Sequence, residues 1–394
     1  MALTISNKDR KWTGSGFAIH ADVAFDSSYA FGGETLQAKT LGIDRLERVL
    51  IEPKAGFSFE YDYTNETIKV FAPAPPVVFE ELVTVTSNVG TLAYPAAFIM
   101  YVGSANAAYK TIAAGLTPVT GSCAVSEFAW GERPTLTFLA ADSVTSCYVT
   151  YVTQAWKEVF DNVVYAQTTG SARVAGHADL TFASGTPDTI DLGEYAVAIQ
   201  SVTWNDNGTI KPMKACYLGV DPATTEVAID FTNSTSSETR CSFREEDTVD
   251  ASTDSVYFTY IRKPSSGFLS DRFIEEDDLT PSSDIVTTSS GLAVGSNALI
   301  YGSCGCLPGP TGGYASIIRS AGTQGATATL CKPTSVNNAT NTFTFGSDHA
   351  DEVHVKPSYI CGFPYEITGL VPLEVRNATD LSWLTGIKVT FQGV

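Results

Sequence analysis

Groups able to move protons, attack a carbonyl carbon or hold a metal are sparse in this chain of 394 residues. There are four histidines: His20, His177, His349 and His354. The last two stand near Asp348, Asp351 and Glu352, the donor types of a metal site. In a strand, positions five apart point to opposite faces, so both imidazoles reach one ion only if the intervening turn folds back. The acidic runs Glu245–Asp247 and Glu275–Asp278 offer oxygens suited to calcium. Neither has the alternating Asp/Asn spacing around a central Gly that builds a dedicated loop, so both read as solvated surface. Cys304-Gly-Cys306 is the only close pair among eight cysteines, and the rest read as buried free thiols. No Gly-x-Ser-x-Gly, His-Glu-x-x-His or phosphate-loop pattern occurs. This reading assigns no catalytic residue, no cofactor and no metal. Glycosidic chemistry would require a carboxylate pair in a deep cleft. A sugar-binding platform would require exposed Tyr and Trp rings, whereas rings at alternating strand positions belong to a core.

The elements around these residues are those of an all-β protein. Charged residues make up 17% of the chain, against about 25% in ordinary soluble domains. Thr, Ser, Val, Tyr and Phe take their place and favour strands and turns. A net charge of −19 excludes a nucleic-acid groove. No run of about 20 apolar residues is present to span a bilayer. MALTISNKDRKW lacks the apolar stretch of an export signal, so synthesis in a host cytoplasm is expected.

A repeated plan organises the chain. Thr135–Tyr151 has an alternating strand ending in Phe138, a break carrying Asp142, and a second strand ending in Tyr151. Cys241–Tyr260 repeats this with Phe243, Asp247 and Tyr260, and Thr342–Tyr359 with Phe345, Asp348 and Tyr359. The closing tyrosines lie 109 and 99 residues apart, a domain-sized period. The expected fold is a series of tandem β-sandwich-like modules with a short N-terminal β unit and an extended N-terminal arm.

In order, residues 1–30 form the arm, which reads either as lying on a neighbouring subunit with Trp12 as its anchor or as a disordered tail. Residues 31–76 form the small β unit, in which Phe57, Phe59, Tyr61 and Tyr63 alternate along one face and Pro73–Pro76 is a stiff linker. Module 1 spans 77–164 and ends in a connector. Trp156, Val159, Phe160 and Val163 there follow helical spacing, while the run Val163-Val164-Tyr165 favours a strand. Module 2 spans 165–264, with a tight hairpin at Asn207-Gly208. Module 3 spans 265–361, and residues 362–394 form C-terminal strands. The last of these, with Ile387, Val389 and Phe391 alternating, suits pairing with a sheet edge of the same chain or a neighbour.

Tyr29–Pro73 carries a Tyr-x-x-Gly-Gly opening (Tyr29, Gly32, Gly33), a Leu41-Gly42 turn, an aromatic Phe-x-Tyr-Asp strand (Phe59–Asp62) and an Asn-x-Thr-Ile-Lys-Val-Phe return (Asn65–Phe71). This segment resembles one common in virion structural proteins of tailed bacteriophages. The following stretch, to about residue 155, is similar to the β-module that accompanies it there. The resemblance covers about a third of the chain and rests on strand and turn residues. It implies an auxiliary, non-enzymatic virion protein on the capsid surface, with the major capsid protein as partner. The expectation is capsid decoration or cementing by a homo-oligomer, a trimer by preference. Trp12, Phe31, Phe57 and Tyr61 are the candidate partner contacts. A tail- or fibre-associated protein binding host surface glycan is the alternative.

Overall fold

The computed structural model describes residues 3–75, 77–103, 109–155, 161–168, 178–182, 189–194, 196–217, 225–229, 240–243, 253–262 and 371–394, with seven short strands between 273 and 360. The first six strands are β1 (Thr4–Trp12), β2 (Phe17–Ala24), β3 (Glu34–Thr35), β4 (Leu46–Ile51), β5 (Ser58–Asp62) and β6 (Thr67–Ala72). Next come β7 (Val77–Thr86), β8 (Val89–Thr91), β9 (Ala96–Gly103), β10 (Lys110–Ile112), β11 (Ser122–Val125), β12 (Thr135–Phe138) and β13 (Ser146–Thr153). Then follow β14 (Val163–Thr168), β15 (Ala178–Phe182), β16 (Thr189–Asp191), β17 (Ala196–Asp206), β18 (Thr209–Tyr217), β19 (Glu226–Ile229), β20 (Arg240–Ser242) and β21 (Ser255–Arg262). The short strands are β22 (Phe273–Glu275), β23 (Ile285–Thr287), β24 (Arg319–Ser320), β25 (Ser335–Asn337), β26 (Thr342–Thr344), β27 (His354–Val355) and β28 (Ser358–Ile360). The chain closes with β29 (Leu373–Glu374) and β30 (Ile387–Gly393).

Both ends of the chain build one base. Its first sheet has the order β1-β2-β30-β4, so the C-terminal strand lies between two N-terminal ones. In its second sheet β6 pairs with β5 along one side and with β3 and β29 along the other. Alternation explains the packing: Ile19, Ala21 and Val23 of β2 and Ile387, Val389 and Phe391 of β30 face inward, against Tyr61, Ile68 and Val70 of the second sheet. Each such buried Ile, Val or Phe side chain contributes about 1.5–3 kcal/mol. The expected arm is therefore corrected in part. Residues 17–24 are a core strand, because Ile19 and Val23 are too apolar to leave the sheet, and only β1 lies along the outside.

The modules lie in the chain between β6 and β29, and modules 1 and 2 share one strand plan. Module 1 is a curled sheet of order β10-β11-β12-β8-β7-β13-β9, and its ends approach where the Tyr109 amide donates to the Val102 carbonyl at 2.9 Å. Module 2 closes into a barrel of order β14-β15-β16-β20-β19-β18-β17-β21. In both, the closing strand (β13, β21) lies between the first strand (β7, β14) and a long middle strand (β9, β17). Both contain a parallel pair at matching places, β10 with β11 and β18 with β19, and module 2 has a second, β14 with β15, where module 1 pairs β7 with β8 antiparallel. Four antiparallel pairings are described between residues 273 and 360: β22 with β28, β24 with β27, and β26 with β23 and β25. Phe138 and Phe243 are buried in their module cores, as are Tyr151 and Tyr260. Phe345, Asp247 and Asp348 lie outside the described residues.

Among the described residues there is no α-helix. Trp156, Val159 and Phe160 lie outside them, and Val163 opens β14, where the β-branched and aromatic run prevails. The Asn207-Gly208 turn is a two-residue hairpin with φ of 44° and 95°, as that pair favours.

The motif that carries the virion resemblance is structural throughout. Leu41 ends a 3₁₀ turn, and Gly42 caps it at φ 73°. Asp62 accepts from the Thr64 and Asn65 amides, fixing the hairpin loop, and pairs with Lys69 at 3.0 Å. Gly33 has φ 99°, and a Cβ there would lie 2.7 Å from Thr67 Oγ1 and 2.8 Å from the Ile68 carbonyl. Gly32 has the same φ but open space beside it. Gly33→Ala should therefore lower stability by more than the roughly 1–3 kcal/mol of backbone strain alone, and Gly32→Ala by about that strain only. Urea denaturation of the two variants, giving equal losses, would contradict this account.

Candidate functional site

The four sequence-predicted contacts do not form one surface. Trp12 is 64% exposed at the end of β1, its ring edge-on to Phe17 at 5.0 Å. The Arg10 guanidinium lies 3.6 Å from the centre of that Phe17 ring. Phe57 is half-buried against Trp383 at 5.7 Å. Phe31 is half-buried beneath Arg133 of module 1, 4.2 Å from its ring centre. Tyr61 is a correction: it is buried in the base core and donates to the Leu36 carbonyl at 2.9 Å, so it offers no surface to a partner. Burial pushes its phenol up to about 12.

Arg133 marks the junction of base and module 1, where a cleft of about 450 Å³ opens. The base contributes Arg376, Asn377, Thr379 and Asp380, and module 1 contributes Glu81, Thr91 and Arg133. Behind the walls, each unit carries a latch between a carboxylate and a buried phenol. In the base, Glu374 Oε1 accepts from the Tyr29 hydroxyl at 2.7 Å and the Gly32 amide at 2.5 Å. Tyr29 in turn accepts from the Val70 amide at 3.0 Å. In module 1, Glu81 accepts from the Ala93 amide at 2.8 Å and from the Tyr151 hydroxyl. Module 2 repeats the device, with the Tyr260 hydroxyl donating to Glu194 at 2.8 Å.

Burial raises Glu81 and Glu374 above the ordinary carboxylate range, with the hydrogen bonds and Arg133 opposing it. Burial, reinforced by the adjacent carboxylates, also raises Tyr29 and Tyr151. Burial lowers Arg133, and Glu374 and Glu81 pull it back. Arg133 and Arg376 line the cleft; among the described residues neither is in a salt bridge, and Arg133 lies over the Phe31 ring. Both Glu81 oxygens are committed, so this carboxylate serves as an anchor and not as a free base.

Among the described residues, no three His, Cys, Asp or Glu side chains gather as metal ligands. His20 is exposed on the outer sheet face, its Nδ1 3.0 Å from Thr390 Oγ1. His177 and His349 lie outside the described residues, as do the side chains of His354 and of the Glu275–Asp278 run. So do Glu245–Asp247 and Cys304-Gly-Cys306. Cys123, Cys147 and Cys241 are buried free thiols. Burial pushes Cys147 up to about 11.

The sequence analysis missed Glu81, Glu374 and Arg133. They come from three separate stretches, and no local spacing relates them. Comparison of the chain with family models, curated proteins and solved structures returns no match.

The Glu374 latch has a pH signature. Its folded value lies above the unfolded one, so the unfolded chain sheds this proton first as pH rises. Stability from this group therefore falls as pH climbs from the ordinary Glu range through the raised folded value, and is regained on acidification. Glu374→Gln keeps an oxygen for Tyr29 and Gly32 but cannot titrate. Wild type should gain on this variant between pH 7 and pH 5 in urea midpoints, and a constant difference would contradict the burial argument. Tyr29→Phe should cost roughly 1–3 kcal/mol at either pH, because Val70 and Glu374 each lose a partner.

Proposed function

We propose that this protein is a non-enzymatic structural component of a tailed-phage particle that decorates or cements the capsid, with the major capsid protein as its partner. The observation that carries this reading is how charge divides over the fold. The base, residues 1–76 and 371–394, has ten basic and twelve acidic side chains, a net of −2. The inserted residues 77–370 have 14 basic and 31 acidic side chains, a net of −17. A base of nearly zero net charge can approach a protein surface of either sign without long-range repulsion, whereas strongly acidic modules repel one another and remain in solvent.

The resemblance of Tyr29–Pro73 to virion proteins points the same way, and its residues lie in the base. Attachment through several copies in a closed homo-oligomer, a trimer by preference, makes many weak contacts act together. The carboxylates beside the cleft support the non-enzymatic reading, since they are held by tyrosines and amides.

Purified protein mixed with undecorated shells should co-sediment with them and saturate at a fixed copy number. No binding at any ratio would remove this function. Binding to cell-wall sugar with label at the tail tip would replace it with host-glycan attachment.

A further inference from the structure

The hairpin tip that joins β17 to β18 holds the only Asn-Gly step in the chain, Asn207-Gly208. Both residues are exposed, and both have a positive φ, 44° and 95°. An asparagine followed by glycine is the step most open to attack on its own side chain. Gly208 has no Cβ to block the approach of its backbone nitrogen to Asn207 Cγ, and the five-membered ring that results carries little strain.

Two other turns isolate the part the glycine plays. Asn88, between β7 and β8, also has a left-handed backbone, at φ 66°. Val89 follows it, and a branched side chain stands in the path of the same attack. Asn65, exposed in the β5–β6 loop, precedes Glu66.

The hairpin also restrains the reaction. The Gly208 amide donates to Asn205 Oδ1 at 2.8 Å, so the nitrogen that would attack is occupied. The Asn207 amide donates to Asp254 Oδ1 at 3.2 Å, and Asp254 is itself fixed by the Trp204 indole at 3.0 Å. The Gly208 nitrogen must leave Asn205 before it can turn toward Asn207 Cγ.

We propose that Asn207 is a site of spontaneous self-modification, with water as co-reactant and the Asn205–Gly208 hydrogen bond as the lock that sets its rate. Solvent base takes the Gly208 amide proton, the nitrogen bonds to Asn207 Cγ, and the Cγ–Nδ2 bond breaks. Nδ2 leaves as ammonia after taking up a proton from water. Water then opens the succinimide at either carbonyl, leaving an aspartate or an isoaspartate at this position. Either product adds a negative charge to inserted residues that already carry −17, beside Asp206 and Asp254. The isoaspartate also lengthens the backbone within a two-residue turn, so the Asp206–Thr209 rung that closes the hairpin loses its register.

Ageing the folded full chain at mildly alkaline pH, with peptide mapping by mass spectrometry and isoaspartate methyltransferase labelling, tests the site. Asn207 should convert ahead of Asn88 and Asn65 and give both aspartate and isoaspartate. Asn205→Ala removes the acceptor and should speed conversion by about two- to tenfold, the range that loss of a single hydrogen bond allows. Asn205→Asp keeps an acceptor oxygen and should convert no faster than wild type. Wild type unfolded in guanidinium chloride should outpace folded wild type by at least the factor seen for Asn205→Ala, a comparison that holds even where that variant folds poorly. Conversion of Asn88 or Asn65 ahead of Asn207, or aspartate as the sole product, overturns the inference. Equal rates in wild type and Asn205→Ala, or in the folded and unfolded chain, overturn it as well.

Discussion

The fold depends on β30 reaching its slot between β2 and β4. Seven ladder positions join it to β2, from Phe17 with Gly393 to Val23 with Ile387, and five more join it to β4. Without it β2 and β4 have no common neighbour, and Ile19, Val23, Phe391 and Val389 lose their shared core. The pairing spans nearly the whole chain, yet the entropy of closing so long a loop grows only with the logarithm of its length. The inserted modules form their own sheets from nearer neighbours, which shortens the effective loop before the ends meet.

Each described unit joins its parts with a tyrosine hydroxyl on a glutamate: Tyr29 with Glu374, Tyr151 with Glu81, Tyr260 with Glu194. Partly burying a carboxylate is costly, and the cost is offset when a phenol and backbone amides satisfy its oxygens. The cleft lies where two of these latches approach, so its arginines stand in an environment already supplied with negative charge. Further along, module 1 is tied to module 2 through Gln200, which accepts from the Ile99 amide at 2.8 Å and offers its own carbonyl to Thr111 at 3.0 Å.

How much of this was legible follows from what strands expose in sequence. The alternation of Ile387, Val389 and Phe391 identified β30, because a period of two is a local property. The matching Phe138 and Phe243, and Tyr151 and Tyr260, disclosed modules that proved to share a strand order. Asn207-Gly208 announced its hairpin, whereas the β7–β8 turn uses Ser87 and Asn88 at φ 50° and 66° and gave no such signal. Which edge β30 would pair with, the union of both chain ends in one base, and the meeting of Arg133 with Phe31 depend on contacts between distant residues. No period or spacing encodes them. Tyr61 illustrates the ambiguity: an aromatic at an alternating position reads equally as core or contact until the opposite sheet is known.

The exit and return of the inserted chain lie side by side, since β29 pairs with the end of β6 through Leu373 with Ala72 and Glu374 with Phe71. A pull on the modules therefore enters the base along two neighbouring strands at once. β6 meets that force lengthwise against its five-rung ladder with β5, in shear, so the rungs bear the load together instead of unzipping singly. Mechanical toughness is thus built into the point where the tethered part leaves its foundation.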